Sequence, residues 1–275
     1  MMKSFAGWTC TFGWTIALLA APHTTWAQLF PADGSSALGE RYHVEVSGNL
    51  WLPTADMVVT SESLGILGDR IDLGRDLGVQ ESRTFREIRV VLRPATKHKF
   101  KVQYSPLTYS GSTTLNREFV FNGLRYRVGV PVDTAMDWKM LRLGYEYDFI
   151  HRSRGYAGFM VDARVLNVNL ELDSPLGLEF ARARGPVPSF GFTGRGYVLP
   201  FVSITGEVSL FNLPESIDER YRAHYLDIDV YGTVNFTRWA GAQVGYHRFN
   251  IDYEIDNDKG DLHIGGLYFA GVLRY

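Results

Sequence analysis

The sequence predicts an all-β protein, an antiparallel, up-and-down transmembrane β-barrel of about ten strands. Three observations predict it. Apolar and polar residues alternate with period two through most of the chain after residue 40, which is the signature of strands. The alternating runs are about ten to fifteen residues long, which suits tilted membrane strands better than soluble strands of about five or six. Long and short connections alternate, as they do in membrane barrels.

The composition excludes several classes of function. The chain has 275 residues and a net charge of −2, so it lacks the basic excess that a general nucleic-acid binder needs. Its one cysteine, Cys10, lies in the N-terminal segment. The rest of the chain therefore has no disulfide, no thiolate nucleophile and no cysteine metal site. We also find no cofactor motif and no run long enough for a membrane helix.

The N-terminal residues are typical of an export signal. Lys3 precedes an uncharged apolar run at 9–21, and Thr25 and Ala27 supply the small residues that a signal peptidase reads. We therefore predict a cleaved signal peptide over 1–27. A short periplasmic lead over 28–40 and a barrel over 41–275 would follow it.

The alternation defines the strands in order. They are predicted at about 41–53, 82–93, 98–105, 141–149, 156–172, 188–199, 202–210, 226–235, 240–247 and 262–275. Phase is lost at Pro106, which indicates a bulge or an edge.

One face of most predicted strands is charged. In the fourth strand Leu143, Tyr145 and Tyr147 share one face, while Arg142, Glu146 and Asp148 share the other. A soluble sandwich or lipocalin-like barrel would bury one face in a dry core, where unpaired charges cost several kcal/mol each. A barrel that is apolar outside and polar inside removes this conflict.

The last strand ends in an aromatic residue. Leu267, Phe269, Leu273 and Tyr275 share one face, and Tyr275 is the final residue. This resembles the closing strand of Gram-negative outer-membrane β-barrel proteins. In that family a terminal aromatic, usually Phe, with apolar residues at alternate positions before it, is the sorting signal for barrel assembly. The resemblance implies the outer membrane as location. It also implies the barrel-assembly machinery, outer-membrane lipid and lipopolysaccharide as partners.

The connections carry further expectations. The long ones are predicted at 54–81, 112–135, 173–187, 212–224 and 254–261. Asn122-Gly123 predicts a type I′ hairpin in the second of them, and the strand count would rise to twelve if that hairpin crossed the membrane. Trp51, Trp138 and Trp239 lie near predicted strand ends and suggest an interfacial girdle. Acidic residues in 54–81 and at 256–261 lead to the hypothesis that loops bind divalent cations that bridge lipopolysaccharide.

The inward face is the candidate functional surface. A barrel of about ten strands is narrow, so its charges either form ion pairs that fill it or line a narrow solute path. Its candidate lumen residues are Glu87, Arg89, Lys101, Arg142, Glu146, Asp148, Arg195, Glu207, Asp227, Asp229 and His247.

Three functions stay open at this point. The first is a narrow porin-like channel or a structural barrel, and the second is a surface-exposed binding or adhesion barrel that uses its long loops. The third is a barrel-embedded lipid or peptide hydrolase. His151-Arg152-Ser153 is similar in letters to the His-x-Ser pair of lipid A deacylases but falls in a short turn. Asp227 and Asp229 match the acidic residues of the ten-stranded omptin proteases only by residue type.

Overall fold

The computed structural model describes residues 37–60, 68–213, 221–255 and 258–275. The predicted signal peptide and most of the predicted lead lie outside these residues. The elements in chain order are β1 (Val44–Thr60), β2 (Ile71–Asp72), α1 (Leu73–Leu77), β3 (Phe85–Ala95), β4 (His98–Thr114), β5 (Phe119–Phe121), β6 (Leu124–Tyr126), β7 (Pro131–Arg152), β8 (Gly155–Ser174), β9 (Gly177–Leu199), β10 (Val202–Leu213), β11 (Tyr221–Asn235), β12 (Ala240–Ile255) and β13 (Asp258–Arg274).

Ten of these strands form one closed wall. Each strand pairs antiparallel with its neighbour in the order β1-β3-β4-β7-β8-β9-β10-β11-β12-β13, and β13 pairs back with β1. The backbone of Tyr275 completes the seam, because its carbonyl accepts from the amide groups of His43 and Val44. Closure leaves no free sheet edge along this seam, which is the requirement for crossing lipid with strands. The predicted ten-stranded, up-and-down barrel is confirmed.

The wall has the inverted polarity that the sequence predicts. On β10, Ser203, Thr205 and Glu207 point into the barrel and are buried, whereas Ile204 and Leu210 are 53% and 52% exposed on the outside. The period-two pleat produces this separation, since successive side chains point to opposite faces. Exposed apolar residues continue around the other strands, which gives the outer surface the apolar band of a membrane barrel.

The two ends of the barrel differ. Turns at 96–97, 153–154, 200–201 and 236–239 join strands at one end, called here the short-turn end. The opposite end, called here the loop end, carries α1 and the β5–β6 hairpin. Two connections predicted as long are mostly strand. Residues 173–187 form a hairpin with its turn at 175–176, and within 254–261 strands β12 and β13 continue to Ile255 and from Asp258.

These two predictions were wrong for a common reason. Beyond the lipid-facing band both faces of a strand can be polar, so backbone pairing continues where side-chain alternation has stopped. The pairs Asn169–Arg182 and Asp252–Asp261 lie in such regions. Pro106, where alternation also fails, remains inside β4 opposite Lys139. It lies just past the last β3–β4 pair, Ile88–Tyr104, so β4 loses its pairing with β3 near Pro106, while its register with β7 shows no bulge there.

The loop end is covered on one side by α1 and the hairpin. Asp72 caps α1 by accepting from the amide of Arg75 at 3.0 Å, and Gly78 ends the helix with a φ of 65°. Asn122 and Gly123 have φ values of 48° and 80°, as the predicted type I′ turn requires. The hairpin is a separate two-stranded sheet, so it does not add strands to the wall.

Within the described residues, no helix is long and apolar enough to cross a membrane.

Candidate functional site: the barrel interior

The interior of the short-turn half is built from charged side chains that strand register places side by side. Lys99 on β4 lies directly opposite Glu146 on β7, and their side chains meet at 2.6 Å. Register also places like charges opposite each other: Arg142 faces Arg164, and Glu207 faces Asp229. Like charges at such positions are destabilising. They need partners from elsewhere in the barrel.

Those partners come from across the lumen. Arg89 on β3 reaches Asp229 on β11 at 2.7 Å, and Lys101 on β4 reaches Glu207 on β10 at 2.7 Å. In the wall order, β3 is separated from β11 by three strands, and so is β4 from β10. These contacts therefore bridge the lumen. Arg142 extends the network by contacting Glu207 at 3.5 Å.

Aspartates on β8 and β11 hold the remaining guanidinium groups. Asp162 contacts Arg142 at 2.8 Å and Arg164 at 3.6 Å. Arg164 reaches Asp227 at 3.2 Å. Every side chain here is buried. The network thus forms a layer of opposite charges, called here the ionic layer, that spans the barrel from wall to wall.

The structure brings the sequence-predicted lumen residues into this layer. All eleven are buried: Glu87, Arg89, Lys101, Arg142, Glu146, Asp148, Arg195, Glu207, Asp227, Asp229 and His247. Asp148 joins through Lys99 at 3.0 Å. Their functional role stays a prediction. The predicted set of lumen residues did not include Asp162 or Glu40. The alternation along the fifth predicted strand does place Asp162 on the same face as Arg164.

Asp227 and His247 form an arrangement that resembles a hydrolytic pair. His247 Nε2 lies 3.3 Å from Asp227 Oδ2, and the same oxygen accepts from the Tyr225 hydroxyl at 2.7 Å. Arg164 contacts that oxygen as well, so the carboxylate already has its counter-ion. The pair lies inside the ionic layer rather than at the mouth. His151 lies at the short-turn end, 3.5 Å from Arg93. The buried Asp227–His247 pair is not accessible in the way that a substrate requires, whereas a second pair, His263 and Asp252 at 3.3 Å in the loop half, is partly exposed.

The short-turn end is closed by the residues just before β1. Ala37 donates to the Ser153 carbonyl at 3.0 Å, and Leu38 donates to the Pro200 carbonyl at 2.7 Å. These carbonyls belong to two different turns, so the segment crosses the mouth. Gly39 has a φ of 84°, and a Cβ there would overlap Asn235 and Arg274. Only glycine fits this position without strain.

Glu40 anchors this segment to the ionic layer. It is buried, and its carboxylate lies 3.5 Å from Arg93 and 3.8 Å from Arg195. The Arg93 guanidinium also donates to the Glu40 carbonyl at 2.5 Å. Residues 37–40, part of the predicted lead, therefore form a stopper across the short-turn mouth.

The interior of the loop half is apolar instead of charged. Trp51 and Trp138 were predicted to lie in an interfacial girdle, and this prediction was wrong. Both are buried in the lumen, with ring centroids 5.9 Å and 5.6 Å from Phe249. The pleat decides their direction, because both occupy inward positions of their strands. Trp239 is exposed next to a short turn.

An apolar cavity of about 640 Å³ lies in this half. Trp138, Tyr225 and Ile251 contribute to its wall, and Leu73 of α1 and Phe121 of the hairpin lie on its loop-end side. Charged and polar groups also border it: Asn122, Arg184, Arg222, His224, Glu254 and Asp258. The cavity and the ionic layer thus share one barrel, but the cavity wall is mainly apolar and the ionic layer is charged.

Two of the acidic residues that were predicted to bind divalent cations have basic partners. Both oxygens of Asp76 accept from Arg117, at 2.9 Å and 2.5 Å, and Asp261 pairs with Arg70 at 3.2 Å. The hydrogen bonds from Arg117 and from the Asp72 amide lower the pKa of Asp76. In the described part of the chain no three His, Cys, Asp or Glu residues are placed to hold a metal ion. Residues 256–257 of the second acidic loop lie outside the described ranges.

Comparisons with known proteins agree on the fold. No family model matches the chain, and no curated protein matches its sequence. The outer membrane protease OmpT of Escherichia coli is similar in structure, with a TM-score of 0.55 and 9% identity over 84% of this chain and 96% of that chain. The chain has the outer-membrane β-barrel fold. Its apolar outer surface and charged interior agree with that membrane location.

Two other solved barrels match more loosely. Neisserial surface protein A has a TM-score of 0.36 and 14% identity, over 85% of this chain and 97% of that chain. OprG of Pseudomonas aeruginosa has a TM-score of 0.32 and 11% identity, over 88% and 99%.

Proposed function

We propose that this outer-membrane barrel is a binding protein with a sealed lumen, which holds an apolar ligand in its loop half. The observation that carries the proposal is the cavity of about 640 Å³ above a filled ionic layer. Ligand pockets typically have volumes of about 300–1,000 Å³ and mainly apolar walls with a few polar groups. A porin-like path would instead need polar walls along the whole lumen.

The ionic layer argues against conduction. A passage through it would have to separate the cross-lumen pairs Arg89–Asp229 and Lys101–Glu207, both at 2.7 Å. Breaking one buried pair costs about 3–5 kcal/mol when a partner is left uncompensated. The stopper at 37–40 closes the same path a second time. We therefore expect the purified barrel to be electrically silent in a planar bilayer.

Binding is tested with an apolar fluorescent dye, N-phenyl-1-naphthylamine, added to the folded barrel. Val168→Trp places a large ring in the cavity and should weaken dye binding at least tenfold. Val161→Trp is the matched control, since Val161 belongs to the same strand but faces outward and is 39% exposed. A heat-modifiable gel shift establishes that both variants fold.

Two outcomes would contradict the proposal. Discrete conductance steps from the unmodified barrel would mean that the ionic layer is open. Equal dye binding by Val168→Trp and Val161→Trp would mean that the dye binds elsewhere. The proposal also excludes hydrolysis at Asp227 and His247, so a hydrolytic activity that Asp227→Asn abolishes would replace it with an enzyme.

We further propose that the closing strand is read by the barrel-assembly machinery, as the sequence resemblance implies. Leu267, Phe269, Leu273 and Tyr275 are all exposed on the outer face, where a partner can contact them before insertion. Tyr275→Ala should lower the amount of folded barrel in the outer membrane. It should leave refolding of the purified chain into detergent unchanged, since the hydrogen bonds at Tyr275 use its backbone.

A further inference from the structure

In the described part of the loop half, the barrel wall lacks backbone pairing between two neighbouring strands. Pairing between β9 and β10 ends at Phe190–Leu210. Beyond that pair, in the described part of the chain, residues 177–189 of β9 pair only with β8, and Phe211–Leu213 of β10 pair only with β11. In the described residues, hydrogen-bonded pairing between the two strands is therefore absent toward the loop end. We call this interval the side opening.

Two prolines of β9 lie at the start of the side opening. Pro186 and Pro188 lie in β9 just beyond the last β9–β10 pair. Proline has no amide hydrogen and cannot donate a backbone hydrogen bond. Because alternate residues of a strand donate toward the same neighbouring strand, Pro186 and Pro188 remove two donors from the same edge of β9. The ladder with β8 continues past both, through Pro186–Val165 and Pro188–Ala163. The missing donors thus fall on the edge that faces β10.

A second place in the wall shows how such an edge is normally covered. Pairing between β3 and β4 ends at Ile88–Tyr104. The chain before β3 then occupies the edge of β4: Val79 bridges to Gly111, and the Gln80 amide donates to the Ser110 carbonyl at 3.3 Å. In the described residues no segment covers the edge of β9 in this way.

The side opening connects the cavity with the membrane surface. Residues 184–187 of β9 and both Phe211 and Leu213 of β10 line the cavity. On the outside, Phe190 and Leu210 are 61% and 52% exposed and mark the upper margin of the lipid-facing band. Beyond them the outward positions are Asn212 on β10 and Pro188, Pro186 and Arg184 on β9, all of them exposed. The opening therefore begins where hydrocarbon gives way to headgroups.

We propose that the side opening admits the hydrocarbon chain of an amphiphile from the outer leaflet into the cavity. This rests on the proposed binding function and names its ligand class. The cavity wall is apolar, and the ionic layer and the stopper block the short-turn end. Toward the loop end, Leu73 and Phe121 border the cavity. A chain that enters sideways keeps its polar group at the rim near Arg184 and passes from lipid to protein without crossing water.

The first experiment uses Trp138 as a reporter, because it lines the cavity and is 1% exposed. A full-length variant carries phenylalanine in place of the other five tryptophans: Trp8, Trp14, Trp26, Trp51 and Trp239. It is reconstituted in vesicles of phospholipid brominated along the acyl chains. Bromine quenches tryptophan only on close contact, so we expect loss of Trp138 emission relative to vesicles of unbrominated lipid. Undiminished emission would overturn the proposal for phospholipid chains.

A second arm separates two sources of the chain. Brominated single-chain fatty acid is added to vesicles of unbrominated lipid. Quenching by the fatty acid alone would assign the site to free single-chain amphiphiles, whereas quenching in both arms would include phospholipid. In a series of fatty acids, affinity should rise about fourfold per added methylene until the cavity is full. No quenching in either arm refutes the side opening as an entrance.

A disulfide staple tests the route itself. Extending the register from Leu210–Phe190 places Leu213 opposite Val187 and leaves both prolines in place. The pair Val187→Cys and Leu213→Cys, in a chain with Cys10→Ser, should close the opening on oxidation. Quenching of Trp138 should then be lost and should return on reduction. The control staple joins Phe159→Cys to Phe192→Cys, which are paired across the closed β8–β9 wall, face outward and do not line the cavity, and it should leave quenching unchanged.

The outcomes distinguish this inference from the proposed function. If N-phenyl-1-naphthylamine binds in a way that Val168→Trp abolishes, while lipid chains never quench Trp138, binding stands and the side entrance is wrong. If the oxidised staple leaves quenching intact, chains reach the cavity by another path, and the side entrance is again wrong. If neither dye nor lipid chain reaches the cavity, both proposals fail.

Discussion

Replacing Arg89 by methionine should destabilise the barrel strongly. The Arg89 guanidinium lies 2.7 Å from Asp229 across the lumen, and both side chains are buried. The Tyr268 hydroxyl still donates to the other oxygen of Asp229 at 3.0 Å, so one hydrogen bond survives, but the carboxylate loses its counter-ion. The expected loss in the free energy of unfolding is about 3–5 kcal/mol, the usual cost of an uncompensated buried charge.

The assay is urea unfolding of the barrel in lipid vesicles, followed by tryptophan fluorescence. The double variant Arg89→Met/Asp229→Asn removes both charges, so it should recover most of the loss, and the double-mutant cycle should give a coupling above about 1 kcal/mol. The pair Arg125–Glu118 is the control. Its atoms are 2.6 Å apart, yet its side chains are 66% and 46% exposed, so Arg125→Met should change stability by less than about 1 kcal/mol.

The reasoning fails if Arg89→Met costs no more than Arg125→Met. Equal costs would mean that water screens the ionic layer as well as it screens the surface. The lumen would then be a hydrated path, and the sealed barrel would lose its main support.

Three further predictions concern the two ends of the barrel. Glu40→Gln should lower the free energy of unfolding by about 3 kcal/mol, because the two guanidinium groups it faces lose their shared anion, and urea titration measures this. The pKa of Asp76 is lowered by its hydrogen bonds from Arg117, so the loop-end cover should be stable above the ordinary Asp pKa of about 3.9. That stability should disappear as the pH falls through the lowered value. Protease protection of the hairpin between pH 6 and pH 2 tests it, and Asp76→Asn should remove the pH dependence. Gly123→Ala should destabilise the hairpin by about 1–2 kcal/mol, since Gly123 has a φ of 80°, and faster proteolysis there without loss of the barrel is the expected readout.

Much of the fold could be predicted because pattern and polarity are local properties. The alternation of Leu143 and Tyr145 with Arg142 and Glu146 is visible in the letters, and a pleated strand converts it directly into an outer and an inner face. The terminal aromatic Tyr275 and the Asn122-Gly123 turn are also short signals that need no distant partner. Strand ends were harder, since backbone pairing beyond the lipid band leaves no side-chain pattern.

The candidate site could be predicted only in part. Parity placed Arg89, Lys101 and Glu207 inside, but parity does not say which cation meets which anion across a lumen. Trp51 and Trp138 lie near predicted strand ends, which is typical of girdle residues, although the alternation along each strand directs both side chains inward. The sequence around Glu40 gives no indication that its side chain is buried, because a carboxylate in the stopper and one in a solvated segment have the same sequence pattern.

The sequence by itself thus determined an inverted, ten-stranded membrane barrel and the polarity of its two faces, because a period of two and a lipid environment leave few other solutions. Only the tertiary structure decided that the charges pair across the lumen and that residues 37–40 cross its mouth. It also decided that, in the described residues, the pairing of β9 with β10 ends beside an apolar cavity. Each of these depends on strand register and on contacts between residues far apart in the chain, such as Arg89 and Asp229, and side-chain alternation carries no information about such distances.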